Sequence, residues 1–149
     1  QQGEIALCGP EPGVSLEGYP LARDKKQCCL DLKINPLKRA VEEQGVAVLL
    51  TGIRADEHGS RQDRAVVEHC SGPEHIRVHP ILDFTELDVW AFIIQQSLPY
   101  CVLYDQGYRS LGCVPCTARP GQGEGGSERA GRDADKEGIL SSLHDLGYF

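Results

Sequence analysis

The chain has 149 residues, 40% of them apolar and 25% charged, with a formal net charge of -7. That length accommodates one domain with a buried core. The acidic balance argues against nonspecific binding to nucleic acid or anionic lipid, so any anion site must be local. The longest apolar run, residues 89–94, falls far short of the roughly 18 residues that cross a membrane.

Residues 1–23 are rich in Gly, Pro and Glu without periodicity, and read as an extended, surface-hugging arm. Asn35-Pro36 is expected to open a helix, with Asn35 as cap, Pro36 at its first position and Gly45 as its stop. Residues 46–50 form an apolar run of strand length, as expected for a strand buried on both faces. It leads into the polar loop Thr51-Gly52-Ile53-Arg54-Ala55-Asp56-Glu57. A second strand is expected over residues 76–82. Thr85-Glu86-Leu87-Asp88 reads as a capping box opening a helix over 86–96, with Leu87, Trp90, Ala91 and Ile94 on its apolar face. Residues 104–117 read as a structured loop, 120–126 as a mobile glycine-rich stretch, and 135–146 as a short closing helix.

The chemistry concentrates in cysteine and arginine. Cys28-Cys29 and Cys113-Val114-Pro115-Cys116 form two pairs that can meet when the fold brings the two halves of the chain together. Four thiolates make a soft anionic cage, suited to a [4Fe-4S] cluster or, less specifically, to zinc. Seven cysteines without a disulfide-framework spacing point to a reducing compartment, whether cytoplasm or an organelle interior such as plastid stroma or mitochondrial matrix. Cys8, Cys70 and Cys101 read as plain thiols, and the histidines as surface or structural groups. The start at Gln1-Gln2 and the lack of any methionine read as a processed chain or a fragment.

Alternating helix and strand imply an α/β fold, in which ligands bind beyond the carboxyl ends of parallel strands. The loop after residues 46–50 lies at such an end. There Gly52 lets the backbone approach a ligand, and Arg54 offers a planar fork for phosphate or sulfate. Arg61 and Arg64 follow closely. The competing reading pairs these arginines with Asp56, Glu57 and Asp63.

These segments together resemble the adenylyl-sulfate and phosphoadenylyl-sulfate reductase superfamily. The resemblance is carried by Cys28-Cys29 with Asn35-Pro36-Leu37, by the Thr51–Glu57 loop with Arg61, by His79 through Trp90, and by Leu103 through Thr117. Ser127-Glu128-Arg129-Ala130-Gly131-Arg132 and the ending Gly147-Tyr148-Phe149 look more like the sulfate adenylyltransferase small subunit. The resemblance implies a PP-loop type adenine-nucleotide fold with a central, mostly parallel sheet, incomplete here, with residues 24–149 its C-terminal part. It implies a [4Fe-4S] cluster on Cys28, Cys29, Cys113 and Cys116, with zinc the lesser alternative. It also implies a sulfonucleotide whose anionic end meets Gly52, Arg54 and Arg61 and is closed over by Arg129 and Arg132.

The departures shape two further expectations. The Ser-Gly-Gly-x-Asp-Ser nucleotide loop and the nucleophilic tail cysteine of the reductases have no counterpart in this sequence, so the isolated chain is expected to be inactive. The alternative is a noncatalytic accessory subunit, a pseudoenzyme within a larger complex, with an organellar one left open. An apolar strand at 46–50 without its neighbours must be covered, and a protein partner, whether a second copy or a different chain, is expected there.

Overall fold

The computed structural model describes residues 8–119 and 126–148. Residues 1–7 of the arm, nearly all of the glycine-rich stretch and Phe149 lie outside the described residues. From residue 8 onward the arm has no regular element and is tied to the first helical run. Arg39 donates to a Glu11 carboxylate oxygen at 2.9 Å and to the Gly9 and Pro10 carbonyls, while the Tyr19 hydroxyl donates to Asp31 at 2.8 Å.

That helical run starts earlier than the sequence suggests. α1 (Lys25–Cys29) passes through a π-helical turn (Leu30–Ile34) into α2 (Asn35–Glu43). Asn35 is therefore not a cap but a helical residue, with φ -65° and ψ -43°. The cap is Asp24, whose carboxylate accepts the Gln27 N–H at 2.9 Å. Pro36 is tolerated because the π-turn has already displaced the regular backbone pairing at this junction. Gly45, at φ 59°, ends α2 as expected.

Three strands follow, β1 (Val48–Leu50), β2 (Val67–Cys70) and β3 (His75–Val78), in the order β1-β3-β2. β1 runs parallel to β3, and β2 pairs antiparallel with it as a hairpin. The α/β class holds, with a mixed sheet. β2 has no counterpart in the sequence reading, because Val67-Glu68-His69-Cys70 alternates too briefly to stand out.

The two faces of the sheet differ in an unusual way. One carries Leu49, Glu68 and Arg77, and lies under α2 and the C-terminal segment; Arg77, 6% exposed, donates to the Gly147 carbonyl at 3.4 Å. The other carries Val48, Leu50, Val67, Ile76 and Val78 in register. Val48, Leu50 and Val67 are 50%, 67% and 50% exposed, so β1 is not buried on both faces. Among the described residues nothing packs there to cover them.

α3 (Glu86–Gln95) has the capping box: the Thr85 hydroxyl accepts the Asp88 N–H and the Asp88 carboxylate accepts the Thr85 N–H. Its inward face is not the one expected. Leu87, Ala91 and Ile94 are exposed, while Val89, Trp90 and Ile93 are half-buried. Two ties set this rotation: Asp56 accepts the Glu86 N–H at 2.9 Å, and Trp90 packs edge-on against Tyr100 and Tyr104, with ring centroids 5.3 and 5.1 Å apart. The closing helix is two short helices, α4 (Ala134–Gly138) and α5 (Leu140–Asp145), broken at Ile139. Leu140 and Leu143 of α5 form the core with Cys29 and Ile34, so the chain's two ends meet beside the first cysteine pair.

Candidate thiol and arginine site

Cys28 and Cys29 end α1. Cys113 and Cys116 flank a tight 3-10 turn that Pro115 helps to set, with the Cys116 N–H donating to the Cys113 carbonyl at 2.9 Å. Residues 117–118 then pair with 131–132, and the Asp133 N–H donates to the Cys116 carbonyl at 3.2 Å. This short bridge carries α4 back across the cysteine turn. The result brings the Lys136 ammonium to 4.0 Å from Cys113 Sγ and within electrostatic reach of Cys29 and Cys116, with Lys33 acting on Cys29 and Cys113 and Lys25 on Cys116.

The electrostatics follow from that gathering. Burial pushes the Cys29 thiol up against the pull of Lys136 and Lys33, and Cys113 adds to the rise. Burial likewise raises Cys116, with Cys113 contributing. Burial acts upward on Cys113 too, but Lys33 and then Lys136 outweigh it and leave that thiol below its ordinary value. Cys28 is half-buried on the side of Tyr19. Among the described residues, no three His, Cys, Asp or Glu side chains stand in an arrangement that would hold a metal ion. The donors gathered here are soft sulfur, with the ammonium groups of Lys25, Lys33 and Lys136 acting on them.

The arginines converge as well, and each of three is already paired. Arg54, 6% exposed, binds Asp56 at 2.9 Å, Glu57 at 3.4 Å and Glu128. Arg61 binds Glu57. Arg129 forks onto Glu137 with bonds of 2.7 and 2.8 Å. Burial and then the neighbouring Arg129 bring Arg61 down to about 10, with Arg132 adding to the same effect. Arg132 differs: it is half-buried, reaches the Thr117 hydroxyl at 3.5 Å, and has no carboxylate partner among the described residues. Arg64 lies apart from these, paired with Glu68 at 3.2 Å. The pairing of Arg54 and Arg61 with Asp56 and Glu57 is thus real, but it is buried rather than a solvated surface pairing.

Gly52 is exposed, and a Cβ there would meet Ile81 Cδ1 at 4.0 Å, an ordinary contact. Gly112 is the glycine that bears on the site: a Cβ there would run into the Arg132 guanidinium, which would have to shift. Lys33, Lys136, Gly112, Glu128 and Glu137 are the site residues that sequence reasoning missed. Lys33 and Gly112 stand next to the cysteine motifs and were within reach of it. Lys136 was not, because its link to the thiols is purely tertiary.

Comparison with known proteins follows this geometry. The sequence model of the phosphoadenosine phosphosulfate reductase domain matches residues 10–119. The chain belongs to that family. It is 33% identical over 122 residues to the adenosine 5'-phosphosulfate reductase of Salinibacter ruber, covering 82% of this chain and 47% of that protein. It is 39% identical over 114 residues to the enzyme of the same name from Allochromatium vinosum, covering 76% and 43%. The chain thus spans about half the length of the curated relatives it matches.

Among solved structures, the phosphoadenylyl-sulfate reductase of Candida auris in a phosphate complex aligns with a TM-score of 0.60 at 28% identity, covering 73% of this chain and 55% of that one. The FMN adenylyltransferase of Candida glabrata aligns with a TM-score of 0.54 at 21% identity, covering 60% and 32%, a likeness of fold alone. The chain is a sulfonucleotide reductase-like domain. The family match ends at residue 119 and does not reach the segment of Arg129 and Arg132.

Proposed function

We propose that this domain holds a [4Fe-4S] cluster on Cys28, Cys29, Cys113 and Cys116, beside an anion site for the phosphosulfate end of a sulfonucleotide. The observation that supports this reading is the approach of Cys29, Cys113 and Cys116 to one lysine, Lys136, whose ammonium lies 4.0 Å from Cys113 Sγ. When bound, the cluster would supply an anionic iron–sulfide charge and a redox-active centre.

The chain's own residues would bind and orient the anion. Arg132, without a carboxylate partner among the described residues, is the group free to meet it first. Arg54, Arg61 and Arg129, themselves buried, hold the surrounding frame through their ion pairs with Asp56, Glu57 and Glu137. Exposed Gly52 leaves the end of β1 open to close backbone approach.

The chain by itself turns over no sulfonucleotide in this reading. Reduction needs a thiolate to attack sulfur, and the thiols outside the cage sit on the arm (Cys8), in β2 (Cys70) and in the turn after Pro99 (Cys101). The test pairs calorimetric titration of adenosine 5'-phosphosulfate with a sulfite-release assay. Binding that R132M weakens, without sulfite release, is the expected result. Turnover by the chain alone, or binding indifferent to Arg132, would contradict the reading.

A second reading, that of an accessory subunit, rests on the open sheet face. Val48, Leu50 and Val67 present an apolar surface beside the edge of β1, which no other strand pairs among the described residues. We propose a protein partner that adds a strand to β1 and apolar side chains to this face. Light scattering should show association that L50K disrupts. A monodisperse monomer at micromolar concentration, unaltered by L50K, would argue against any such partner.

A further inference from the structure

A cavity of about 310 Å3 lies against the inner face of the sheet, between α2, the β2–β3 hairpin and α5. That is the size of a small-metabolite site. Ser71 and Gly72 of the hairpin turn are exposed at its rim. The turn precedes β3, which runs parallel to β1, so this rim lies at the end of the sheet opposite Gly52 and Arg54. The far wall is made by residues 144–147, a segment beyond the family-matched residues.

The walls divide by chemistry. Leu37, Val41 and Leu146 supply an apolar side, while Lys38, Arg64 and Arg77 bring three cations against the carboxylates of Glu68 and Asp145. Glu68 is already shared: Arg64 donates to it at 3.2 Å, and Arg77 Nη1 and His79 Nε2 stand at 4.0 and 3.4 Å. Asp145 is exposed, where water and salt screen its charge. Lys38 lies half-buried over Gly147 and has no carboxylate partner among the described residues. His144 is 7% exposed, and its Nε2 is buried without a hydrogen-bond partner among them. Buried polar groups are paired as a rule, so an ammonium and an imidazole nitrogen left over in one cavity point to a ligand with several oxygens. In a chain of net charge -7 this surplus of positive charge is local.

We propose that this cavity binds a small phosphate monoester, its oxyanion meeting Lys38, Arg64 and the His144 ring and its organic part lying on Leu37, Val41 and Leu146. Phosphate suits the site because it turns three acceptor oxygens to donors that arrive from α2, from the residues before β2 and from α5. The site is separate from the thiols and from Arg132.

Calorimetric titration with phenyl phosphate tests this, with inorganic phosphate as the bare anion. Phenyl phosphate should bind the parent chain more tightly than inorganic phosphate. K38M, checked for folding by circular dichroism, should weaken that binding about 10-fold, and R132M should leave it unchanged. In the parent, saturation should shift the His144 ring resonances and raise the pH at which they titrate, since a bound dianion favours the imidazolium. No binding at millimolar phenyl phosphate, binding that K38M leaves unchanged, or binding that R132M abolishes would overturn the proposal. So would His144 resonances that do not move, and equal affinity for the two probes would remove the apolar half of the site.

Discussion

Lys25 Nζ and Asp133 Oδ2 stand 2.9 Å apart, joining the helix that ends in Cys28 and Cys29 to the residue that caps α4. Asp133 also accepts the Lys136 N–H at 2.9 Å, and its own N–H bonds the Cys116 carbonyl. One residue therefore ties both cysteine pairs to Lys136, its carboxylate holding Lys25 and the start of α4 and its backbone holding Cys116. Replacing it should loosen the cage without touching a thiol. D133A is expected to lower the urea midpoint and to speed alkylation of Cys116, whereas D133N, which keeps the cap, should lose less of both. Unchanged alkylation in D133A would mean that the clip is not what closes the cage.

Stability should fall on mild acidification. Burial first, then Arg64 and Arg61, depress His144 from 6.5 to about 4. The folded protein thus holds His144 neutral where the unfolded chain takes up a proton. Its contribution is present above about pH 6.5 and is lost as the pH falls toward 4. Urea midpoints should drop across that window, and H144Q should flatten the slope. An equal slope in H144Q would assign the acid sensitivity elsewhere.

Glu137 adds to acid sensitivity at lower pH. Burial pushes its carboxyl up, but the Arg129 fork outweighs burial and holds it below the ordinary range. Its stabilisation is present above the unfolded value and lost as the pH falls through the folded one. Removing the partner strips the half-buried Glu137 of its two short hydrogen bonds and leaves only His58, at 3.8 Å, so R129M should cost about 2 kcal/mol. Chemical denaturation at neutral pH checks this; a loss under 1 kcal/mol, about the value of an exposed pair, would mean that the site relaxes around the change.

Gly112 should tolerate no side chain without moving Arg132. The far end of an arginine can swing away, so G112A is expected to leave the thermal midpoint nearly unchanged while weakening sulfonucleotide binding as R132M does. Loss of folding in G112A, or undiminished binding, would show that Arg132 is not held for the anion.

Much of this architecture was legible in sequence where local chemistry decides it. The Thr85–Asp88 capping box and the Gly45 stop each rest on neighbouring residues, and each is found. Failures came where tertiary contacts decide. Asn35 looked like a cap because Pro36 follows it, but Asp24 caps a helix that begins before the cysteines. Leu87 and Ile94 have helical spacing and were assigned to the core, yet the pull of Asp56 on Glu86 turns them outward. The arginines of the anion site were readable as a group, but their half-buried partners Glu128 and Glu137 arrive from the far end of the chain, and no local pattern announces them.

The central claim is the occupant of the thiol cage, and elemental analysis of anaerobically purified protein tests it most directly. The account predicts about four irons and four acid-labile sulfides per chain, a brown colour, and loss of both when Cys28, Cys29, Cys113 or Cys116 is replaced by serine. One zinc per chain without sulfide, or iron content indifferent to those four substitutions, would contradict it.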